Sequence, residues 1–258
     1  MTASTDRRGW LKGVAASATG LWLAACDRLN DNPKVQQTLQ SAEGLTRRVH
    51  RAVIDRKALA PEFTVADIAR DFRANGSISP GDEAYRALLM AGFKDYKLII
   101  DGLVERPMAL SLADLRAALS RTQITRHDCV EGWSSIGQWK GARLGPLIDR
   151  AGLKPEARYL VFHCFDSLQK SADGSGQYYE SIDLVDAYHP QTILAYQMNG
   201  AALPVAHGAP LRLRVERQLG YKHAKYIARI EAVADFKHLH RGKGGYWEDR
   251  GYEWYAGI

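Results

Sequence analysis

The densest group of chemically reactive side chains in this sequence surrounds Cys129. The thiol is accompanied by an imidazole, two carboxylates and an indole, from His127, Asp128, Glu131 and Trp133. A thiolate is both a metal ligand and a nucleophile, whereas a lone cysteine is more often a small buried hydrophobic side chain. A dyad of Cys129 and His127 is weakly supported, because the fold and not sequence adjacency brings catalytic partners together. Residue types alone therefore leave a metal ligand, a nucleophile and a structural cysteine open.

Cysteine spacing limits these interpretations. The three cysteines, Cys26, Cys129 and Cys164, are too few for a disulfide scaffold and lack the Cys-x-x-Cys spacing of zinc or redox sites. A zinc or thiol hydrolase built on His127, Cys129, His163 and Cys164 is allowed by residue type, although no ligand spacing supports it. Each cysteine therefore needs its own explanation.

Composition sets the broad class of the protein. The chain has 258 residues, of which 46% are hydrophobic, and this suits one large or two small folded domains. The formal charge is +6, with 35 basic residues interspersed among 29 acidic ones. Because the basic residues form no long run, we expect no nucleic-acid partner, while a local basic pocket for a phosphorylated ligand stays open.

Residues 1–26 have the pattern of an export signal. Arginines at positions 7–8 precede a weakly apolar stretch, residues 13–25, which is too short to span a bilayer as a mature helix. The paired arginines resemble a twin-arginine signal, which exports proteins already folded around a cofactor. Residues 23–26 (LAAC) resemble a lipobox in which Cys26 is acylated, and the alternative is an ordinary cleavage site with an incidental cysteine. We therefore expect a periplasmic protein, tethered to the inner membrane if Cys26 is acylated.

Hydrophobic patterning divides the mature chain into two parts. Residues 27–78 are expected to form a tether and a helical segment, and residues 79–258 the folded domain. Short apolar runs predict strands at residues 97–102, 159–162, 192–196, 211–215 and 226–230. The spacing of Ser111 and Asp114 predicts a helix start, and the glycines of residues 137–145 predict turns. This mixture predicts an α+β fold with a mixed β-sheet.

Several motifs in register resemble those of one protein family. Residues 129–134 (CVEGWS) and 139–144 (WKGARL) look like the molybdenum-binding segment of the sulfite oxidase superfamily, especially of its methionine-sulfoxide reductase branch. Residues 98–107 (LIIDGLVERP) resemble the strand that opens the family domain. Residues 194–200 (LAYQMNG) and 207–212 (HGAPLR) resemble its central signature. Residues 219–225 (LGYKHAK) resemble its phosphate-binding turn. The resemblance covers about residues 79–258 and implies a molybdenum-molybdopterin cofactor (Moco) in a sulfite-oxidase-type fold.

The resemblance implies roles for residues near the metal. Cys129 matches the single protein ligand to molybdenum, where a soft thiolate suits a metal already held by dithiolene sulfurs. Tyr252, in an aromatic C-terminal stretch, matches a tyrosine whose hydroxyl lies beside the metal in this superfamily. Cys164 is close to the position of a residue that contacts the pterin, and Tyr85 and Arg86 match N-terminal pterin contacts. The alternative for the aromatic stretch is a tail packed on the core.

The resemblance also implies which residues bind the rest of the cofactor. His207 and Arg212 match the pair that holds the pterin. Lys225, with the backbone of His223 and Ala224, matches the turn that binds the terminal phosphate through its charge and its amide dipoles. The structural alternatives are a capped turn for the first pair and a solvated face for the lysine. Because all of these motifs occur together and in order, cofactor binding is favoured.

The residues that follow Cys129 bear on the reaction. Sulfite oxidases carry an arginine shortly after the metal cysteine, which makes a cationic pocket, whereas this chain has Val130, Glu131 and Trp133 there. A dianion is disfavoured by Glu131, and aromatic side chains such as Trp133 and Tyr252 suit an uncharged substrate. The resemblance therefore implies oxygen-atom transfer, with reduction of a sulfoxide-type or related small substrate by electrons from an external partner.

Two other functions stay open. The first is a sulfite-oxidising dehydrogenase that takes its cationic groups from elsewhere, for example Arg126 or Arg250. The second is a catalytically inactive pterin-binding lipoprotein, which the joint presence of Cys129, Tyr252 and Lys225 disfavours. By analogy with the family, the electron-transfer partner is a membrane haem protein or a periplasmic cytochrome c. Because the family's C-terminal dimerisation domain does not follow Tyr252, we expect a monomer.

Overall fold

The computed structural model describes residues 32–169 and 176–258 of the chain. The predicted signal, residues 1–26 with Cys26, lies outside the described residues. The chain divides after Val53 into two compact units, and the described part of the first contains one helix, α1 (Pro33–Val53). Nowhere in the described ranges does a helix combine the length and the apolar character that crossing a membrane requires.

The second unit extends from Ile54 to Ile258 and contains helices and strands. Its α-helices are α2 (Glu83–Met90), α3 (Leu112–Ala117), α4 (Leu144–Ala151) and α5 (Leu184–Ala187). Its strands are β1 (Lys97–Gly102), β2 (Met108–Ser111), β3 (Ser120–Cys129), β4 (Trp133–Arg143), β5 (Tyr159–Ser167), β6 (Gln177–Asp183), β7 (Ile193–Met198), β8 (Ala201–Ala202), β9 (Arg212–Arg214) and β10 (Ile227–Val233). Turns of 3₁₀ helix cover Val65–Asp67, Val205–His207, Gly220–Lys222 and Glu248–Arg250.

The strands form two sheets. The first has the order β2-β1-β10-β5-β6, in which β1 and β10 are parallel and the other neighbours are antiparallel. The second has the antiparallel order β3-β4-β7-β8, and β9 also pairs with β7. The predicted α+β class with a mixed sheet is confirmed. The predicted strands overlap β1, β5, β7, β9 and β10, and α3 begins at the predicted capping box of Ser111 and Asp114.

The main apolar core combines alternate strand residues with one face of α4. Leu98 and Ile100 of β1 are buried in the same cluster as Leu147 and Ile148 of α4. Residues two apart share a face of a strand, and neighbouring turns of a helix share a stripe, so both elements direct apolar side chains to one side. This core holds the first sheet in place beside the loops that carry the site.

The prediction of turns in residues 137–145 was wrong, because these residues form most of β4 and the start of α4. Gly141 lies where the backbones of β4 and β7 approach closely, since a Cβ there would be 2.2 Å from the carbonyl oxygen of Leu194. The pairing of these strands also shifts register at Gly141. Glycine inside a strand commonly marks such a bulge or close approach. The glycine therefore permits strand pairing here and does not end the strand.

The segment before residue 79 contacts the second sheet. The Phe63 N–H donates to the Ile124 carbonyl of β3 at 2.9 Å. Phe72 is buried against Trp139 of β4, with ring centroids 5.4 Å apart in an edge-to-face arrangement. These contacts bring the residues that follow Phe72 to the site described below, and the domain boundary at residue 79 stays a prediction.

Candidate functional site

Cys129 is presented by the hairpin that joins β3 to β4. It is the last residue of β3 and pairs with Trp133, the first residue of β4. The Gly132 N–H donates to the Cys129 carbonyl at 3.0 Å, and Gly132 has a φ of +85°. This left-handed conformation is the one that a three-residue hairpin turn requires and that glycine adopts without strain. The Cys-Val-Glu-Gly-Trp sequence therefore holds the thiol at the end of a strand.

The thiol of Cys129 is 9% exposed. Burial raises its pKa, while backbone N–H groups of Glu131 and Val130 and the positive charge of Arg73 act in the opposite direction. The Arg73 guanidinium lies 5.4 Å from the centroid of the Trp133 ring. A bound metal cation favours the thiolate form of such a cysteine. Arg73 is therefore a positive charge near the thiol that the sequence motifs did not indicate.

The inward face of β3, which ends at the thiol, is polar. Gln123, Thr125 and His127 are buried on this face. Arg214 donates to Nδ1 of His127 at 3.0 Å and to Oγ1 of Thr125 at 3.4 Å. Glu216 accepts from Gln123 at 2.8 Å and from Arg214 at 2.5 Å. Because buried polar groups are costly unless hydrogen-bonded, this network fixes the strand that carries the thiol.

Arg212 is fully buried and has no carboxylate partner among the described residues. Its Nη1 donates to the His207 carbonyl at 3.1 Å, whereas Nε and Nη2 have no hydrogen-bond partner there. Its guanidinium lies 4.9 Å from the centroid of the Trp139 ring. Burial and the charge of Arg214 lower its pKa to about 9. A buried cation with unpartnered donors is unfavourable in the protein alone and suits an anionic ligand.

Lys225 is a second buried lysine or arginine without an ion-pair partner among the described residues. Its Nζ donates to the backbone carbonyls of Asn75 at 2.6 Å, Ala206 at 3.1 Å and Ser77. Burial and the charge of Arg212 lower its pKa to about 7. The lysine therefore ties the chain at residues 75–77 to the site, and no ion pair with a described residue compensates its charge.

Two neutral histidines lie beside these cations. Burial and the charge of Arg212 lower the pKa of His207 to about 4. Burial and the charge of Arg214 lower the pKa of His223 well below its usual range. The His223 Nε2 lies 3.0 Å from the Gln218 carbonyl, which accepts its hydrogen in the neutral form. These two histidines therefore contribute no positive charge to the site at neutral pH.

Several of these side chains line one pocket with a cavity volume of about 120 Å³. Of the predicted site residues, its lining contains Cys129, His223, Lys225 and Tyr252. The other polar and glycine residues of the lining are Asn75, Gly76, Ser77, Glu131, Asp166 and Gly220. The apolar and aromatic part of the wall contains Val130, Leu168, Tyr178, Tyr221 and Trp247. The fold thus places the thiol, a buried ammonium group and an apolar wall around the same space.

The other predicted residues lie outside this lining: Cys164, His207, Arg212, Ala224, Tyr85 and Arg86. Tyr85 is buried and its hydroxyl donates to the Ala209 carbonyl at 2.8 Å, whereas Arg86 is exposed. Cys164 is buried in the main apolar core, where burial and the charge of Asp166 raise its pKa well above its usual range. Ala224 is buried, and its carbonyl accepts a hydrogen bond from the backbone N–H of Leu213 in β9.

The residues considered for other chemistries have partners away from the pocket. His163 lies 2.9 Å from Glu231 across the first sheet. Arg126 is paired with a neighbouring aspartate, and the guanidinium of Arg250 covers the Tyr246 ring at 3.6 Å. Within the part of the chain that the structure describes, no cluster of three or more His, Cys, Asp or Glu could hold a metal ion.

Tyr252 reaches the pocket from the C-terminal tail. Its ring stacks on Trp247 with centroids 5.1 Å apart, and it meets Tyr221 edge-on at 5.3 Å. The Tyr221 hydroxyl donates to the Glu253 carbonyl at 2.7 Å. With 38% of its surface exposed, Tyr252 contacts both the pocket and solvent. Aromatic contacts therefore position this phenol at the mouth of the site.

A buried ion cluster anchors the tail. Lys222 Nζ lies 2.5 Å from Glu180 of β6 and 2.6 Å from Glu248, which begins the turn that precedes Tyr252. All three side chains are buried. Lys222 belongs to the predicted phosphate-binding turn but does not line the pocket. Its observed contacts are those of a structural anchor.

The residues present fit a phosphorylated ligand that carries a metal. Gly208, with a φ of +109°, lies between Lys225 and Arg212, since a Cβ there would be 2.9 Å from Lys225 Cβ and 3.2 Å from Arg212 Cβ. This close approach concentrates positive charge, and phosphate oxygens are strong acceptors for such groups. The Cys129 thiol adds a soft metal ligand in the same pocket. Molybdopterin has both the phosphate and the metal-binding sulfurs that this donor set suits.

Comparison with known proteins gives four similarities. The family model of the oxidoreductase molybdopterin binding domain matches residues 88–240. A putative protein-methionine-sulfoxide reductase subunit, YedZ1, of Azospira oryzae is 35% identical over 92% of this chain and 83% of that protein. The protein-methionine-sulfoxide reductase catalytic subunit MsrP of Campylobacter jejuni is 33% identical over 54% of this chain and 49% of its own length. The sulfane dehydrogenase SoxCD of Paracoccus pantotrophus superposes with a TM-score of 0.48 at 25% identity, over 55% of this chain and 39% of that one.

Proposed function

Because this chain belongs to the oxidoreductase molybdopterin-binding domain family of the sulfite oxidase superfamily, we propose that it reduces sulfoxides with a molybdenum cofactor. The names of the two sequence relatives described above point to methionine sulfoxide in proteins as the substrate class. The reaction takes one oxygen atom from a sulfoxide, uses two electrons and two protons, and yields a thioether and water. The observation that carries the proposal is the single pocket lined by Cys129, Lys225 and Tyr252.

Four groups in the chain would hold the cofactor. Cys129 is the proposed protein ligand to molybdenum, and Lys225 with the adjacent backbone binds the phosphate. Arg212 and His207, which do not line the pocket, are proposed to support the pterin. When bound, the cofactor supplies the two-electron chemistry of oxygen-atom transfer. The pKa of Lys225, about 7 without an anion, rises when a phosphate binds beside it, so binding restores its positive charge.

The wall of the pocket favours a neutral substrate. Val130, Trp247 and Tyr252 give it apolar and aromatic surface, which suits the flexible carbon chain of a thioether or sulfoxide. Among the described lining residues Lys225 is the single Lys or Arg, and its charge is assigned to the phosphate. Tyr252 is proposed to donate a hydrogen bond to the oxygen of the substrate.

Metal and pterin analysis tests the cofactor assignment. Cys129→Ser and Cys164→Ser form a matched pair, since both thiols are buried but only Cys129 lines the pocket. We expect one molybdenum per chain and a Mo(V) paramagnetic signal in the wild type, loss or change of the signal in Cys129→Ser, and an unchanged signal in Cys164→Ser. Protein without metal and pterin from a cofactor-competent host would instead support an inactive binding module.

A second candidate is oxidation of sulfite, which the charge of Arg73 near the thiol favours. Turnover of peptide methionine sulfoxide and of sulfite should be measured on the same preparation, beside Arg73→Gln. We expect the sulfoxide to be reduced and Arg73→Gln to change its turnover little. Efficient sulfite oxidation that is lost in Arg73→Gln, without sulfoxide reduction, would replace the proposed reaction by the second candidate.

We further propose that the protein acts in the periplasm, tethered by an acylated Cys26, and receives electrons from a membrane haem protein or a cytochrome c. The twin-arginine pattern and the lipobox in residues 1–26 support this location. Replacing Arg7 and Arg8 by lysine is expected to abolish export, and Cys26→Ser to move exported protein from the membrane fraction to the soluble periplasmic fraction. Reoxidation of each haem protein by the purified enzyme and sulfoxide identifies the electron donor.

A further inference from the structure

Helix α1 carries a stripe of exposed apolar side chains that has no role in the function proposed above. The stripe comprises Ala42, Leu45, Val49, Ala52 and Val53, all of which are exposed. The exposed fractions of Leu45, Val49 and Val53 are 58%, 49% and 79%. Because neighbours in the stripe are three or four residues apart, they lie on one face of the helix. Single exposed apolar residues are ordinary, whereas a continuous exposed stripe marks an interaction surface.

The charge of α1 indicates what this surface binds. The helix has four lysine or arginine residues and one acidic residue, Glu43. Lys34 and Arg48 are exposed, and so are Arg56 and Lys57, which follow the helix. Four basic residues suit the headgroup region of a bilayer and not its hydrocarbon interior. An apolar stripe flanked by positive charge is complementary to a surface of acidic phospholipids.

The start of α1 is close in the sequence to the predicted acylation site. Asn32 Oδ1 accepts from the Lys34 N–H at 2.9 Å, and Pro33 is the first residue of the helix, as is common for this residue. Pro33 follows Cys26 by seven residues, so the two cannot be farther apart than about 25 Å. If Cys26 is acylated, the headgroup region is within reach of α1.

We propose that α1 lies along the surface of a membrane that contains acidic phospholipids. The stripe enters the boundary between headgroups and acyl chains, while Lys34 and Arg48 extend to the lipid phosphates on their long apolar stems. The acyl chain and the helix then act as two membrane signals, which together hold the folded domain near a membrane electron donor. The inference rests on the proposed location and is independent of the proposed reaction.

Vesicle binding by the full chain with Cys26→Ser tests the helix without the acyl chain. The protein is recovered from the periplasmic fraction and mixed with phosphatidylcholine vesicles that contain or lack phosphatidylglycerol. A helix alone binds reversibly, so binding is measured by sedimentation over a range of lipid concentrations. Leu45→Gln/Val49→Gln removes the centre of the stripe and keeps good helix formers. Val65→Gln/Leu119→Gln is the matched control, since these side chains are 71% and 59% exposed outside α1.

We expect the Cys26→Ser protein to bind the vesicles that contain phosphatidylglycerol. Leu45→Gln/Val49→Gln in that background should weaken binding at least about tenfold, because less apolar area is buried. The control double variant should bind as its parent does. Equal binding of the two double variants would overturn the inference.

The charge of the helix is tested in the same background. Arg48→Gln should weaken binding to the acidic vesicles about fivefold, and added salt should weaken it further. Lys237→Gln is the control, since the Lys237 side chain is 87% exposed and lies outside α1. Equal binding to vesicles with and without phosphatidylglycerol would overturn the inference.

A second copy of the chain is the other partner that an apolar helical stripe accepts. Analytical ultracentrifugation of the same proteins without lipid measures self-association. A monomer that binds acidic vesicles supports the inference. A dimer that does not bind vesicles and that dissociates in Leu45→Gln/Val49→Gln would overturn it.

These measurements separate the helix from the anchor and from the reaction. If the Cys26→Ser protein binds acidic vesicles but mass spectrometry finds no acyl group on the wild type, the inference stands and the proposed anchor fails. If the wild type is acylated but the Cys26→Ser protein does not bind vesicles, the anchor stands and the inference fails. Sulfoxide turnover in solution should be unchanged in Leu45→Gln/Val49→Gln, because neither residue lines the pocket.

Discussion

Lys222 and Lys225 are close in the sequence and have opposite electrostatic surroundings. Burial alone would lower the pKa of Lys222, but the carboxylates of Glu180 and Glu248, 2.5 and 2.6 Å from its Nζ, hold that pKa above its usual value. Lys225 donates to backbone carbonyls, and burial together with the charge of Arg212 lowers its pKa to about 7. The fold supplies carboxylate partners for Lys222, whereas Lys225 has no ion-pair partner among the described residues and is proposed to bind a ligand.

This difference separates stability from binding. A buried ion pair stabilises a fold only while both partners are present. An incompletely paired buried cation lowers the stability of the cofactor-free protein, and an anion that binds only the folded state restores it. Changes at Lys222 should therefore reduce the free energy of unfolding, whereas changes at Arg212 and Lys225 should mainly reduce the affinity for the cofactor.

The largest expected effect is that of Lys222→Met. The substitution leaves Glu180 and Glu248 buried without a cation, which should reduce the free energy of unfolding by about 3–5 kcal/mol. Denaturant unfolding of the cofactor-free protein measures this loss. Lys237→Met is the control, because the Lys237 side chain is 87% exposed and its surface ion pair should contribute less than about 1 kcal/mol. If Lys222→Met and Lys237→Met reduced the free energy of unfolding equally, the ion cluster of Lys222 would not stabilise the fold. The proposed distinction between Lys222 and Lys225 would then fail.

The pH dependence of stability tests Lys225. Its pKa is about 7 in the folded protein and 10.5 ordinarily, so between these values the folded state binds fewer protons than the unfolded state. The free energy of unfolding should therefore rise with pH from 7 towards 10, by at most about 1.4 kcal/mol per unit, and the penalty is complete below pH 7. Lys225→Met should lack this contribution. Parallel wild-type and variant curves between pH 7 and 10 would contradict the assignment.

Arg212→Met should change stability less, although it also removes a fully buried cation. The lost hydrogen bond to the His207 carbonyl costs about 1 kcal/mol, and relief of the buried charge opposes that loss. We expect a net change within about 1 kcal/mol in the cofactor-free protein, together with pterin retention reduced at least about tenfold. Unfolding and pterin release are measured on the same preparations. A loss of stability as large as that of Lys222→Met would show that Arg212 serves the fold.

The fold was predictable where inward-facing strand residues are apolar. The run at β1 has Leu98 and Ile100 on the buried face, so its pattern indicates a strand. In β3 the buried face carries Gln123, Thr125 and His127, whose partners come from β9 and the loop after it, so no apolar alternation is present. In β4 the glycines imitate a turn. Hydrogen bonds between residues distant in the sequence determine that β3 and β4 form strands. The pattern of a single sequence does not show those hydrogen bonds.

The site was predictable only where a motif carries it. Cys129, Lys225 and Tyr252 were assigned by resemblance and line the same pocket, while their roles stay predictions. Ser77 contributes through its backbone carbonyl, which has no residue-type signal. Asp166 lies near the end of β5 and becomes distinctive only once its burial and its unpartnered oxygen are known. Their place in the pocket depends on geometry that the chain order does not contain.

Glu248→Gln should have the smallest effect and should show how the cluster of Lys222 carries its charge. Two carboxylates face one ammonium group, and burial, followed by the charge of Glu248, raises the pKa of Glu180 well above its usual range. The folded state therefore binds an extra proton, and its stability falls as pH rises above the ordinary value of 4.5. Glutamine keeps an oxygen for Lys222 and removes the excess negative charge. We expect a change below about 1 kcal/mol at pH 7 and a weaker pH dependence between pH 5 and 8. If Glu248→Gln reduced the free energy of unfolding as much as Lys222→Met, both carboxylates would be ionised in the wild type. The cluster of Lys222 would then hold an uncompensated charge, as the pocket does.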